Sequence, residues 1–185
     1  PSTKNLIEKF TAKFKSAIHI TYDSISESEA LDAFEERYGI RGLSNYDFSN
    51  TKLIVSIGAD FLGDWQGGGF DCSYTKGRIP DDGKMSRHIQ FEYNMTLSGA
   101  NADLRVPLKI NEQKLVLIEI YKSLFGDNKV KLDSNLQLNE KLKKIVDKTI
   151  KELKSAKAGA VVITGIQEKG YQLAALEINE KIKSN

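Results

Sequence analysis

The chain has 185 residues, with 27 Lys and Arg against 25 Asp and Glu, so its formal net charge is only +2. This length predicts one domain, residues 1–185, with a sizeable core. The near-balance of charge argues against nucleic acid as a partner, and the longest apolar runs are too short to cross a bilayer. We therefore expect neither nucleic-acid binding nor direct membrane insertion.

A single cysteine, Cys72, limits the redox and metal chemistry of the chain. It excludes an internal disulfide, an iron–sulfur cluster and an all-cysteine zinc site built from this chain alone. Cys72 lies in a Gly-rich stretch, and an incidental thiol is favoured over a nucleophile. No secretory signal opens the chain, and its start, Pro-Ser-Thr-Lys, looks arbitrary. We expect a fragment of a longer subunit.

The first forty residues predict two helices joined by an extended segment. Apolar residues at helical spacing mark the first helix: Leu6, Phe10 and Phe14. The run 17–22 then has strand character. Ser26 and Glu29 have the spacing of a capping box, which predicts that a second helix begins here and ends at Gly39.

The middle of the chain predicts three strands and a long loop. Residues 52–58 form a continuous apolar strand, as expected of a parallel strand buried on both faces. The segment 59–87 is rich in Gly, Asp and aromatic residues and predicts an exposed functional loop that packs against neighbouring domains or subunits. Strands are predicted at 88–93 and 103–107.

The remaining elements complete a repeating strand and helix pattern. Helices are predicted at 112–125, at 138–153 with one apolar stripe, and at 170–182, and a buried strand at 158–164. The stretch 126–135 is the one linker-like connection in this half. Strands separated by helices predict an α/β fold, a three-layer α/β/α sandwich with a mostly parallel, Rossmann-like sheet.

Ligands of open α/β sheets bind at the carboxyl ends of the strands, which directs attention to Gly58 and to the loop holding Thr96, Ser98 and Gly99. The Gly58 turn lacks the Lys-Ser/Thr of a P-loop, and Asp60 would place negative charge beside a phosphate. A turn-forming role for this glycine is therefore favoured over phosphate binding.

Several other polar residues have two interpretations, one structural and one functional. Five aspartates could suggest a hard-cation site, although a solvated acidic loop is favoured: Asp60, Asp64, Asp71, Asp81 and Asp82. His88 fits a structural histidine better than a metal ligand, because no second ligand stands at the right spacing. The lysines of helix 138–153 predict a solvated face, with docking onto an acidic partner as the alternative. No catalytic residue and no metal ligand is predicted.

Several motifs resemble molybdopterin oxidoreductases in their dinucleotide-binding α/β domain. They occur in the expected order: the strand 52–58, the A-D-x-x-x-P strand 102–108, the strand 160–165, and the helix 173–179 with its A-x-x-x-N pattern. A closer resemblance is to the molybdopterin-like portion of the iron–sulfur subunit of quinol:cytochrome c oxidoreductase, alternative complex III. It rests on the segments 46–48, 56–63, 85–88 and 92–103.

The resemblance implies the fold of a pterin-dinucleotide domain without its cofactor. Cofactor-binding members carry Asn-Pro where Asp60-Phe61 stands here, Pro-Arg where Tyr93-Asn94 stands, and a guanine-pairing carboxylate where Gln113 stands. These departures argue against tight binding of molybdopterin guanine dinucleotide. The implied vestigial cofactor-binding positions are Gly58, Asp60, Tyr93, Asn94, Thr96, Gly99, Asp103 and Gln113.

The resemblance also implies a cellular setting. The parent subunit would belong to a membrane-bound respiratory electron-transfer complex on the periplasmic face of the inner membrane. This domain would be a non-catalytic scaffold that contacts other domains and subunits, with iron–sulfur clusters elsewhere in the parent. Two alternatives stay open: a functional cofactor domain completed by the rest of a longer chain, and an unrelated small-ligand module using the same crevice.

Overall fold

The computed structural model describes residues 2–14, 16–23, 25–80, 83–126 and 137–184. Its helices are α1 (Ser2–Lys13), α2 (Ser28–Tyr38), α3 (Asp71–Gly77), α4 (Leu97–Ala100), α5 (Ile110–Phe125), α6 (Glu140–Ala156) and α7 (Lys169–Ile182). Its strands are β1 (Leu53–Ile57), β2 (Arg87–Glu92), β3 (Leu104–Pro107) and β4 (Ala160–Thr164). A short 3₁₀ turn, Lys157–Gly159, joins α6 to β4.

The four strands form one sheet in the order β3-β2-β1-β4, and every pair is parallel. In this register Val55 of β1 lies opposite Ile89 of β2 and Val162 of β4. All residues of β1 and β4 are buried, in agreement with their unbroken apolar sequences. The predicted α/β fold with a Rossmann-like parallel sheet is confirmed.

The two faces of the sheet are covered differently. One face, which includes Val55 and Val162, packs against apolar side chains of α5, α6 and α7. The opposite face, which includes Ile54 and Ile163, is covered by an aromatic layer: Phe48, Phe61, Trp65, Phe70 and Tyr74. Four of these five side chains come from the segment between β1 and β2. The prediction of an exposed loop at 59–87 is therefore wrong, because this segment turns its aromatic side chains inward and contains α3.

Three further predictions of local structure need correction. The run 17–22 forms no strand, and its backbone is irregular. Ser26 and Glu29 form no capping box: Ser26 accepts a hydrogen bond from the Ser28 N–H, and Glu29 accepts one from the Lys169 N–H. Most of the predicted linker 126–135 lies outside the described residues. The predicted stop of α2 is confirmed, with Gly39 at φ 74°.

Helix α7 closes the outer edge of β4 with side-chain amides. Asn179 accepts from the Val162 N–H through Oδ1 and donates to the Val162 carbonyl through Nδ2, each at 2.8 Å. Gln172, two turns earlier on the same helix, donates to the Thr164 carbonyl at 3.3 Å. An unpaired strand edge is a template for association, and here side chains replace the missing strand. This gives the A-x-x-x-N pattern a physical meaning.

In the described part of the chain, no helix combines the length and the apolar character needed to cross a membrane.

We predict that Asn179→Ala lowers the free energy of unfolding by about 2 kcal/mol, because it leaves both backbone groups of Val162 without a partner. Urea denaturation followed by circular dichroism measures this difference. Asn179→Asp retains the acceptor and loses the donor, so its effect should be intermediate in size. An alanine variant as stable as the parent would contradict the edge-closing role.

Candidate functional site

The candidate site lies at the carboxyl ends of β1 and β4. The connection from β1 to β2 crosses the aromatic face, whereas α5 and α6, which connect β3 to β4, cross the opposite face. The chain direction across the sheet therefore reverses between β1 and β4. In open α/β sheets such a switch point is where ligands bind. Gly58 and Gly165, the residues that follow these two strands, border it.

The backbone turns after β1 and β4 are in direct contact at this point. A Cβ atom built on Gly165 would overlap the carbonyl group of Gly58. The Gly165 N–H donates to the Ile57 carbonyl at 2.9 Å, and the Thr164 hydroxyl donates to the same oxygen at 3.2 Å. The Thr164 hydroxyl also accepts from the Ile166 N–H at 3.1 Å. The two turns are therefore fastened to each other, and the space between them is smaller than a methyl group.

Gln113, from the first turn of α5, covers the remaining side of Gly58. Its side chain is only 4% exposed, and a Cβ on Gly58 would lie 2.6 Å from Gln113 Oε1. Gly58 also has φ +72°, a conformation that favours glycine. The Nε2 atom of Gln113 is buried and has no hydrogen-bond partner among the described residues. This amide is thus placed at the predicted position, with one polar group unsatisfied.

Asp60 links the β1 turn to α4. Its Oδ1 accepts from the Ser98 N–H at 2.9 Å, and the Ser98 hydroxyl accepts from the Leu62 N–H at the same distance. These two bonds tie the turn after β1 to the loop after β2. Gly63 leaves room for the carboxylate, since a Cβ there would overlap it. The charge of Asp60 is therefore turned toward a backbone N–H group of the chain itself.

Glu92 is a candidate site residue that was not predicted from the sequence. It ends β2 with 1% exposure, and its carboxylate pairs with Arg105 and accepts from the Thr96 hydroxyl at 2.6 Å. The Thr96 hydroxyl accepts in turn from the Gly99 N–H at 3.0 Å. A Cβ on Gly99 would overlap the Glu92 carboxylate. A carboxylate ending an otherwise buried strand was the signal that could have identified it.

A line of buried polar side chains leads along β2 to Glu92. His88, Gln90 and Glu92 alternate along the strand and so share one face. The Gln90 amide donates to the Ala59 carbonyl at 3.1 Å and to Glu92 at 3.3 Å. Its oxygen lies 3.1 Å from His88 Nε2, a contact that fits a hydrogen on Nε2. The other ring nitrogen, Nδ1, lies 3.2 Å from the Tyr74 hydroxyl.

Burial lowers the pKa of His88 to about 4, so the ring is neutral at physiological pH. It also contacts the Phe61 ring, with centroids 5.1 Å apart. The described residues contain no cluster of three or more His, Cys, Asp or Glu side chains that could hold a metal ion. The geometry of His88 agrees with the predicted structural histidine.

Asp103 does not belong to this end of the sheet. It precedes β3, and its carboxylate accepts from the His88 N–H at 2.7 Å near the start of β2. Burial alone would raise the pKa of Asp103, but the Arg78 guanidinium and the His88 N–H together lower it. Because β3 runs parallel to β2, Asp103 lies at the edge of the sheet opposite Gly58. Asp103 therefore lies apart from the other vestigial cofactor positions, and the prediction that grouped it with them is wrong.

The other predicted positions do gather at the carboxyl edge. Gly58, Asp60, Thr96, Gly99 and Gln113 are joined through the contacts described above. Tyr93 and Asn94 follow β2 and are exposed. Away from this edge, the lysines of α6 face solvent as predicted, and Cys72 is exposed on α3.

No family model and no curated protein matches the chain. The resemblance to molybdopterin oxidoreductases therefore stays a prediction.

We predict that Gly99→Ala destabilises the protein by about 3 kcal/mol, because the added methyl group displaces Glu92 from Arg105 and Thr96 and leaves a buried charge without its partners. Gly170→Ala is the matched control. It lies in the first turn of α7 with open space around it, and it should be neutral or stabilising by up to about 1 kcal/mol. Equal effects of the two variants on chemical denaturation would contradict the packing described for Glu92.

We also predict acid sensitivity from His88. Its pKa is about 4 in the folded chain against 6.5 when unperturbed, so the unfolded chain binds the additional proton. The free energy of unfolding should fall as the pH falls through this window, by about 3 kcal/mol at pH 4. His88→Gln should remove this part of the pH dependence. The only other histidine, the exposed His19, is the control, and a slope lost equally in His19→Gln would refute the assignment.

Proposed function

We propose that this chain is a non-catalytic, cofactor-free scaffold domain. The parent would be the iron–sulfur, molybdopterin oxidoreductase-like subunit of a respiratory electron-transfer complex, located at the periplasmic face of the inner membrane. Its partners would be the other domains and subunits of that complex. The resemblance of the strand and turn motifs supports the identity of the parent, and the geometry of the switch point supports the absence of a cofactor.

The observation that carries the proposal is the contact between the turns after β1 and β4. A dinucleotide bound at a switch point needs its pyrophosphate close to backbone N–H groups of the first turn. Here the Gly58 N–H donates to the Phe91 carbonyl at 2.7 Å, and the Gly165 N–H is bonded to Ile57. The side of Gly58 that faces α5 is covered by Gln113. A pyrophosphate would have to displace each of these contacts.

The electrostatics of the site support the same proposal. Two carboxylates, Asp60 and Glu92, lie where phosphate groups would approach, and the nearby guanidinium of Arg105 is already paired with Glu92. An added anion would therefore meet two carboxylates, while Arg105 is already engaged by Glu92. The mutual pairing of Asp60 with Ser98 and of Glu92 with Arg105 supports the proposed scaffold function.

The decisive experiment is a calorimetric titration with GDP, which carries the guanosine and pyrophosphate groups of the cofactor. We predict no binding at millimolar GDP and an unchanged fluorescence of Trp65, the only tryptophan and a member of the buried aromatic layer. A domain that holds the dinucleotide serves as the positive control. Micromolar binding would overturn the scaffold function, and stoichiometric molybdenum or tungsten in the parent subunit would establish the active-cofactor alternative.

A second candidate function rests on the unsatisfied amide of Gln113. Its buried Nε2 atom would suit a small ligand with an oxygen acceptor beside Gly58. Gln113→Leu separates the two functions. If the site binds nothing, removal of a buried unpaired amide should leave stability unchanged or slightly higher. A small molecule retained by the parent chain in native mass spectrometry and lost from the leucine variant would favour the ligand-binding module.

A further inference from the structure

The segment 2–25 carries a concentration of exposed apolar side chains. Seven large ones are exposed there: Leu6, Phe10, Phe14, Ile18, Ile20, Tyr22 and Ile25. Helix α1 buries none of its residues against the rest of the described chain. Its apolar side and the following residues 17–19 enclose an apolar notch of about 410 Å³. Contiguous apolar surface of this kind marks an interaction site.

The beginning of this segment also carries an excess of positive over negative charge. The first 16 residues contain four lysines and one acidic residue, whereas the remaining 169 residues contain 23 basic and 24 acidic residues. Lys4, Lys9 and Lys13 take part in none of the ion pairs of the described residues. The surface therefore combines apolar character with cations that have no ion-pair partner among the described residues.

The charged residues of α1 are distributed unevenly around the helix. At about 100° of rotation per residue, Leu6 and Phe10 lie about 40° apart on α1, and Phe14, just beyond the end of the helix, contacts the Phe10 ring with centroids 4.9 Å apart. Lys13 and Lys9 border this apolar arc on one side, whereas Lys4 lies about 40° from Glu8, on the far side of the helix. Glu8 lies nearly opposite the arc. One border of the apolar arc thus carries two lysines, and the acidic side chain is the farthest from it.

We propose that α1 and the residues that follow it lie on the surface of an anionic lipid bilayer. The apolar arc would enter the boundary between headgroups and acyl chains, and the flanking lysines would extend to lipid phosphates while their aliphatic stems stay in contact with apolar surface. Lysines along one border of the arc, with the acidic residue on the far side, match an anionic lipid surface, which attracts cations beside the face that enters it. The helix lies in the interface and does not cross the membrane. This inference does not depend on the proposed function.

The test is flotation of the 185-residue chain with lipid vesicles. We expect binding to phosphatidylcholine vesicles that contain about a quarter of phosphatidylglycerol, weaker binding to pure phosphatidylcholine, and loss of binding as salt rises to about 0.5 M. Leu6→Ser should lower the partition coefficient about tenfold. Each of Lys9→Gln and Lys13→Gln should lower it about fivefold. Glu8→Gln should not lower it.

Ile40→Ser is the matched control, because Ile40 and Leu6 are both 68% exposed and Ile40 lies after α2. It should bind vesicles as the parent does. Since α1 buries none of its residues, Leu6→Ser should leave the melting temperature of the protein unchanged, so a loss of binding cannot come from unfolding.

No binding to anionic vesicles, or equal losses in Leu6→Ser and Ile40→Ser, would overturn the proposal. Concentration-dependent dimers that Leu6→Ser abolishes, without lipid binding, would assign the surface to a second copy of the chain. The GDP titration is unaffected by any of these outcomes.

Discussion

The contact between the backbone after β1 and the backbone after β4 constrains the whole carboxyl edge of the sheet. Gly165 lies so close to the Gly58 carbonyl that neither a side chain nor a ligand atom fits between them. Thr164 reinforces this contact through its hydroxyl, which bonds to Ile57 and Ile166. Gln113 can then pack directly onto Gly58. A fold that normally keeps this position open for a ligand here uses it to join β1 to the edge strand β4.

His88, Gln90 and Glu92 on β2 show how the face covered by the aromatic layer accommodates buried polar groups. A buried carboxylate is costly unless it is paired and hydrogen-bonded, and Glu92 has Arg105 and Thr96 as partners. The Gln90 amide hydrogen-bonds to both Glu92 and His88, and burial keeps the His88 ring neutral. The aromatic layer above this line excludes water, and so makes a missing partner more costly. Packing and hydrogen bonding on this face therefore depend on each other.

Elements with a strong local pattern were predictable from the sequence. The unbroken apolar runs of β1 and β4 reflect burial of every residue of the strand, and the apolar stripe of α6 reflects burial of one helix face. The aromatic layer was not predictable, because Trp65 and Phe70 lie in a Gly-rich segment without periodicity and are ordered only by the sheet beneath them. Asp103, in contrast, could have been placed from the sequence, because it begins the predicted strand 103–107 and a ligand site lies at the carboxyl ends of parallel strands.

Two of the residues that depart from the cofactor-binding pattern pack within the chain, Asp60 against α4 and Gln113 against Gly58, whereas Tyr93 and Asn94 are exposed. A site that merely loses its ligand keeps buried donors and acceptors with nothing to bind, and each one lowers stability. Asp60 accepts from the Ser98 N–H, which a carboxylate serves more strongly than an amide oxygen. Gln113 is the exception, since its Nε2 atom remains unpaired beside Gly58. Under the proposed scaffold function, this amide is the last part of the site whose polar group the protein itself has not satisfied.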